Sequence, residues 1–473
     1  MLLTTSLLAL SAFVCALAVT PLARDVFKRA GLVDRPNVSR KTHSNPIPRV
    51  GGVSIVLSIG FSIAITAGIG LWGPFFYNPS VQLLIRVLPA IGIVFLVGLI
   101  DDAWALRPWQ KLLGQLIGAA LAYSNGLRVM VVAGVPADNW LSLPLTIGWL
   151  LLCTNAFNLI DGLDGLSAGA GLFATLTILL SGVLDKDSAL VLVSVPLAGA
   201  LLGFLWYNFN PASVFLGDSG SLLLGFLLGC FGIIWRTKTA TFFGMASPLL
   251  AMFVPILDVT LSVARRLIRG QPIFTADRRH LHHRLLDRGL TPRGVVLLLY
   301  VACAIGAVLS LLETLQHNRY GGLVILLFCA GTWVGVQNLR YAEFRVAGHM
   351  LFGGTIQRLV HVELQLREYE EALGACGSFE EWWLRLCEQC RKLGFASVEL
   401  NLGGQILEEK FAPMPGNCWS VIIPMLDGAS LHLAIPPDAA DTASVIMPFV
   451  DLISRKVPVK LTQDSEFSLP VRK

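Results

Sequence analysis

The chain has 473 residues, 54% of them hydrophobic and only 14% charged, with a net charge of +5 and a mean hydropathy of +0.67. A soluble domain carries about 25% charged residues, so these figures exclude a disordered chain, a disulfide scaffold and an ordinary cytosolic enzyme, and point to lipid as the solvent for much of the chain. The charge is uneven: about 22% of the residues from Asn338 onward are charged, against about 11% before it. That contrast divides the chain into a membrane part, 1–338, and a tail of near-normal soluble composition, 339–473.

Apolar runs of about 17–22 residues are long enough to cross a ~30 Å hydrocarbon core. Eleven recur, at roughly 4–22, 51–72, 82–100, 111–126, 141–157, 166–184, 189–207, 219–235, 243–263, 294–313 and 321–337. The expected fold is an all-α polytopic membrane bundle of about eleven transmembrane helices, followed by a small cytoplasmic α+β domain. The first run contains Ala16-Leu17-Ala18, which looks like a processing site. No Lys or Arg precedes it, while Arg24, Lys28 and Arg29 follow, so it reads as a retained span with its N-terminus outside. The loop after it (to Arg49) and the loop 264–293 (Arg265 to Arg293) hold most of the basic residues of the membrane part. Eleven crossings put both loops on one side, which the positive-inside rule makes the cytoplasmic side of the inner membrane. Arg236 and Lys238 are minor exceptions. These loops suit anionic headgroups and an anionic substrate, and nothing in them calls for nucleic acid.

The scarce polar residues gather at the cytoplasmic ends of spans. In chain order they are Lys41 and His43 before Pro46, Pro48 and Gly51-Gly52; Asp101-Asp102; Asn155-Ala-Phe-Asn158-Leu-Ile-Asp161-Gly-Leu-Asp164-Gly; Asn208; Phe215-Leu-Gly-Asp218-Ser-Gly; Asp258; and His280-Leu-His282-His283-Arg284. Intramembrane carboxylates are costly and mark function, and solvated helix caps would have appeared on both sides. Asp258 invites a simpler reading, a structural pair with Arg265 or Arg266. Carboxylates with glycines suggest a hard cation with oxygen ligands, and Mg²⁺ is usually held by one or two carboxylates plus substrate phosphates. Histidines and arginine nearby suit phosphate oxygens. Phosphoryl transfer needs positioning, a metal and cations, with little covalent work from the protein. A transporter, the rival class, would place its polar groups near mid-span.

From about residue 339 the period changes. Residues 355–373 read as an amphipathic helix, and Ser378-Phe-Glu-Glu381 as a capping box opening another, ended by Gly394. Strand-like runs follow at 396–402, 405–411, 418–426 and 429–435, then a helix at about 441–455. The layout is loosely similar to a GAF or PAS-like sensor. The tail reads as a docking or dimerisation module, for an unidentified cytoplasmic partner or a second copy. Cys387 and Cys390 form a lone CxxC, weak evidence for zinc, and the cysteines are expected to be reduced structural thiols.

At the motifs quoted above the sequence resembles the polyprenyl-phosphate N-acetylhexosamine-1-phosphate transferases, which include the WecA, TagO and MraY enzymes and the eukaryotic dolichyl-phosphate GlcNAc-1-phosphate transferase. The resemblance runs from about residue 20 to about 335, with five motifs in the family's order. It implies transfer of sugar-1-phosphate from a UDP-N-acetylhexosamine to a polyprenyl phosphate with release of UMP, at the cytoplasmic face, with Mg²⁺ or Mn²⁺. It implies a metal on Asp218 assisted by Asn158, and Asp101 and Asp102 as the acidic pair variously given to metal binding, deprotonation or positioning of the lipid phosphate. Asp161 and Asp164 would line the nucleotide site, Asn155, Asn208 and Phe215 would contact the donor, and His280, His282, His283 and Arg284 would engage phosphates or sugar. Lys41 and His43 match a less regular segment. The His-Leu-His-His-Arg spacing and the NAFN start resemble WecA and TagO rather than MraY, which favours UDP-GlcNAc over UDP-MurNAc-pentapeptide. Other UDP-N-acetylhexosamines share much of the pattern. Ala105 stands where many relatives carry a further Asp.

Overall fold

The computed structural model describes residues 2–31, 33, 46–75, 77–132, 135–136, 138–236, 246–268, 271, 280–315, 330–331, 366–373, 376–402, 405–411, 419–424, 429–435 and 449–453. The chain divides into two compact units, one within residues 1–264 and 274–339, the other within 265–273 and 340–473.

The first unit is helical. Its elements are α1 (Leu2–Arg29), α2 (Gly51–Gly68), α3 (Pro79–Trp104), α4 (Pro108–Ser124), a short hairpin of β1 (Val131–Val132) and β2 (Val135–Pro136), α5 (Asn139–Ile160), α6 (Leu166–Leu184), α7 (Ser188–Asn208), α8 (Gly217–Arg236), α9 (Ala246–Ala251), α10 (Phe253–Ile268, whose residues 265–268 count to the second unit), α11 (Leu281–Asp287) and α12 (Pro292–Leu315). Among the described residues eight helices are long and apolar enough to cross a membrane: α1, α2, α3, α5, α6, α7, α8 and α12. Three of the eleven expected spans stand apart. Helix α4 has 17 residues, about 25 Å at 1.5 Å per residue, and falls short of a full crossing. The run 243–263 is broken at Met252 into α9 and α10. Pro255 supplies the reason, because its ring would clash with the carbonyl of Ala251, four residues earlier, in a continuous helix. The run 321–337 lies outside the described residues, apart from helical 330–331.

Helix α8 is the enclosed centre, packed on α3 and α5, while α1, α3 and α12 present apolar side chains outward. Leu222, Phe226, Leu228 and Ile233 of α8 meet Val87 and Val94 of α3 and Leu150, Cys153 and Phe157 of α5 in one continuous core. Gly98 lets α3 cross the first turn of α8 closely: a Cβ there would sit 2.5 Å from the Asp218 carbonyl oxygen.

In the second unit, α13 (Phe379–Lys392) begins at Ser378, whose Oγ accepts from the Glu381 amide at 3.2 Å, and Glu381 reaches back to the Gly377 amide at 3.1 Å. Gly394, at φ +80°, follows its end. Four strands form an antiparallel sheet in the order β4-β3-β6-β5: β3 (Ser397–Leu402), β4 (Gln405–Lys410), β5 (Trp419–Pro424) and β6 (Ser430–Ile435). Val398, Leu400, Leu431 and Leu433 alternate inward onto Trp382, Leu386 and Cys390. Of the other two tail helices, residues 366–373 and 449–453 are helical, and the rest of both lies outside the described residues.

Candidate active site

The site forms where several helices end together. The C-termini of α3, α5 and α7 and the N-termini of α2 and α8 lie at one end of the bundle. Pro48 to Gly52 pairs in parallel with the segment entering α8: Phe215 N donates to the Pro48 carbonyl, and Gly51 N and Gly52 N donate to the carbonyls of Phe215 and Leu216. This clasp carries Arg49 into the acidic cluster. Gly217, at φ +74°, turns the chain into α8, where a side chain would strike the Asp102 carboxylate.

The two acidic neighbours at the end of α3 have different surroundings. Buried Asp101 takes the Leu106 amide on Oδ1 at 2.6 Å and the Lys111 ammonium on Oδ2 at 2.5 Å. Lys111 Nζ also donates to Asp218 Oδ2, so one cation of α4 bridges two carboxylates from α3 and α8. Asp102 has both oxygens engaged by the start of α8: the Asp218 amide donates to Oδ1 at 2.8 Å and the Ser219 amide to Oδ2 at 2.9 Å. It is an N-cap supplied from another helix, satisfying amides that α8 cannot satisfy itself.

Asn158 Nδ2 donates to Asp218 Oδ1 at 3.1 Å and to Ser221 Oγ at 3.0 Å, which joins α5 to the same centre. Asp161 lies one residue beyond α5. Low-dielectric surroundings, then the carboxylates of Asp218 and Asp102, push its carboxyl well above the usual carboxylate range, against the pull of Arg49. Asp164 accepts from Asn210 Nδ2 and from the Ala212 amide, both at 3.0 Å, and so fixes the turn after α7. Asn208 Nδ2 donates to the Val214 carbonyl at 2.9 Å, closing the loop that leads to half-buried Phe215. Asn155, expected to contact the donor, donates its amide to Gln115 Oε1 of α4 at 2.7 Å. Lys41 and His43 lie outside the described residues.

The histidines form a separate group. The rings of His280 and His282 are parallel at 5.7 Å, and those of His282 and His283 lie 4.2 Å apart. His282 is buried, with no hydrogen-bond partner for either ring nitrogen among the described residues. Burial, with help from neighbouring His283, pulls its pKa down to about 3 and keeps it neutral. It packs against Gly162, where a Cβ would fall on its Nε2, so the histidine helix α11 rests on the Asp161–Asp164 turn. Asp258 pairs with His280, not with Arg265 or Arg266 as the sequence invited.

Three contributors escaped the sequence reading. Lys111 is the first residue of the run 111–126, and a lysine at the edge of an apolar run was itself the signal. Arg49 was not singled out from a basic loop suited to headgroups and an anionic substrate, although it stands two residues before the Gly51-Gly52 turn. Tyr300 of α12 donates to the Gly165 carbonyl at 2.6 Å and supports the acidic turn from behind.

A bundle of membrane-length helices with carboxylates, cations and imidazoles collected at one end has the means to handle phosphate esters. The family description of glycosyl transferase family 4 matches residues 84–236, from α3 to the end of α8. Over 291 residues the chain is 35% identical to a Bacillus subtilis protein described as "Probable undecaprenyl-phosphate N-acetylglucosaminyl 1-phosphate transferase", covering 60% of this chain and 78% of that one. It is 34% identical over 348 residues to the decaprenyl-phosphate N-acetylglucosaminephosphotransferase of Mycobacterium leprae, covering 68% and 86%. It is 30% identical over 329 residues to the undecaprenyl-phosphate alpha-N-acetylglucosaminyl 1-phosphate transferase of Escherichia coli K12, covering 65% and 83%. The chain belongs to glycosyl transferase family 4.

Proposed function

We propose that the protein transfers N-acetylglucosamine-1-phosphate from UDP-N-acetylglucosamine to a polyprenyl phosphate and releases UMP, as a membrane step of envelope polysaccharide synthesis. The convergence of Asp101, Asp218, Asn158 and Lys111 at one end of the bundle carries this reading. The activities by which the relatives are described support the sugar and the lipid acceptor.

The donor set fits a divalent cation. Asp218 and Asn158 offer hard oxygen atoms, and the carboxylates of Asp101, Asp102, Asp161 and Asp218 outnumber the nearby Lys111 and Arg49. Among the described residues no group of three or more His, Cys, Asp or Glu is arranged to hold a metal alone. That suits Mg²⁺, which takes much of its shell from water and substrate phosphates. When bound, the ion would lower the cost of charge developing on the diphosphate.

A phosphate oxygen of the lipid attacks the β-phosphorus of the donor in line. The new P–O bond forms as the bond from that phosphorus to the bridging oxygen breaks, and UMP leaves with the bridging oxygen. The lipid phosphate needs no general base, since its second pKa of about 6 leaves it largely ionised at pH 7. Lys111 and Arg49 hold phosphate oxygens, and the histidine group on α11 contacts the donor from the side of the Asp161–Asp164 turn. A cavity of about 310 Å³ runs beside the centre, with apolar walls from Leu99, Ile100, Ala103 and Trp104 and polar groups from Arg49 and Asp102. It suits an isoprenoid phosphate: tail against the walls, phosphate toward Arg49.

The site then works at the cytoplasmic face, the N-terminus lies outside, and the domain boundary falls near residue 338. The test is to incubate purified protein with UDP-N-acetylglucosamine and polyprenyl phosphate and identify the nucleotide released. UMP is expected, with loss of turnover in EDTA. Release of UDP would overturn the reaction, and equal turnover in EDTA would remove the metal.

A further inference from the structure

Asp258 takes no part in the acidic centre, yet it is completely buried in α10 and fully engaged. Its Oδ2 lies 2.9 Å from His280 Nδ1, and its Oδ1 accepts from the Leu281 amide at 2.8 Å. Leu281 is the first residue of α11, and His280, at the N-cap position, makes no side-chain cap bond of its own. One carboxylate therefore fixes a ring and the start of the helix that carries His282, His283 and Arg284. The parallel stack continues the chain of contacts from His280 to His282, and His282 rests on Gly162 beside Asp161.

From this we infer that Asp258 is a positioning residue for the transfer reaction: it holds the proton of His280 on Nδ1 and sets the angle at which α11 presents its imidazoles to the donor phosphates. A carboxylate accepts only, so the ring nitrogen facing it must be the one that carries hydrogen. The opposite nitrogen, Nε2, is then the atom left to meet a ligand. In a neutral ring that atom accepts a hydrogen bond, and in an imidazolium it donates one. Carboxylate–histidine pairs fix tautomer and orientation in the same way in metal sites, where losing the outer partner costs about 10–100-fold. The inference rests on the reading of this site as a phosphosugar transferase, but the state of the ring can be measured without turnover.

The chain has eight histidines, few enough for nitrogen NMR of the full-length protein with ¹⁵N-labelled histidine. Comparison with His280→Asn identifies the His280 signal. In that variant the amide nitrogen stands where Nδ1 stood, so the bond to Asp258 is kept while the far nitrogen is lost. The expected spectrum has His280 protonated on Nδ1. In Asp258→Asn, whose amide can donate to the ring, the proton moves to Nε2. In the same variant kcat falls about 10–100-fold while the donor KM changes less than about threefold, because a tilted or wrongly protonated ring costs most where charge develops. Combining it with His280→Asn adds little further loss, as expected for residues acting as one unit.

Protonation of wild-type His280 on Nε2 would overturn the inference. So would kcat of Asp258→Asn within about twofold of wild type, or losses that multiply in the double variant. If Asp258→Asn fails to fold, the wild-type spectrum and the turnover of His280→Asn still decide, since a kcat near wild type in the latter removes the role of Nε2. Release of UDP in place of UMP would defeat the reaction proposed above and leave the tautomer result standing.

Discussion

Asp102→Ala separates a cap from a catalytic group. The side chain makes two charge-assisted hydrogen bonds to consecutive amides at the start of α8, at 2.8 and 2.9 Å. Each such bond contributes about 1.5–3 kcal/mol. Because the group is only partly shielded, the lower half of the range applies, and removing both costs about 3–4 kcal/mol. Asp102→Asn keeps one acceptor, loses the charge facing the helix end and turns an N–H₂ toward the second amide, so about 2 kcal/mol is lost. Asp218 lies in the released turn, and a shift of about 1 Å in a group of this kind lowers turnover about 100-fold. The assay pairs denaturant unfolding of the detergent-purified chain, followed by the fluorescence of its 11 tryptophans, with UMP release. The alanine variant should be less stable and much slower, and the asparagine variant intermediate in both. Wild-type stability in Asp102→Ala together with abolished turnover would refute the capping argument and place Asp102 on the substrate.

Lys111→Ala leaves Asp101 and Asp218 without their shared cation. Breaking a buried pair costs about 3–5 kcal/mol, and partial exposure of the ammonium reduces this to about 2 kcal/mol. A turnover loss of at least about tenfold should accompany it, and unchanged unfolding and turnover would refute the bridge. Gly162→Ala places a methyl group on the His282 ring in a backbone conformation that alanine adopts freely. Turnover should fall and stability should drop by about 1–3 kcal/mol through the overlap with a buried ring, and Gly162→Ala should have no further effect on a His282→Ala background. His282 is held neutral with a pKa of about 3, below the ~6.5 of the unfolded chain. As pH falls below 6.5 the unfolded chain takes up a proton that the fold refuses, so stability falls by about 2 kcal/mol between pH 7 and pH 5. His282→Gln should flatten this limb of the stability curve, and an unchanged slope would exclude His282 as its source.

Much of this arrangement was legible in the residues. The motifs from Asn158 to Asp164 and from Phe215 to Ser219 stand at helix ends, and the four tail strands lie almost where alternation placed them, because period-two burial and turn residues are local signals. The break at Met252 was also written locally, in Pro255, but a hydropathy run averages over it. Asn155 was harder, because its partner Gln115 lies 40 residues away on a neighbouring helix. The division of labour between Asp101 and Asp102 had no local signature. Successive residues near a helix end point in different directions, and only packing decides which meets Lys111 and which meets α8. Asp258 likewise had a plausible local partner in Arg265, and the histidine that captured it comes 22 residues later.

The cap on α8 changes where an incoming anion must look for positive potential. A free helix start would offer its amides and its dipole to a diphosphate. Here the amides of Asp218 and Ser219 already face the Asp102 side chain, so that end of the helix has little positive potential left to offer. Attraction for the donor must come from side chains instead: Lys111, Arg49 and the imidazoles of α11. Unlike a helix dipole, these can be repositioned or exchanged one for another as the charge on the phosphates changes during transfer.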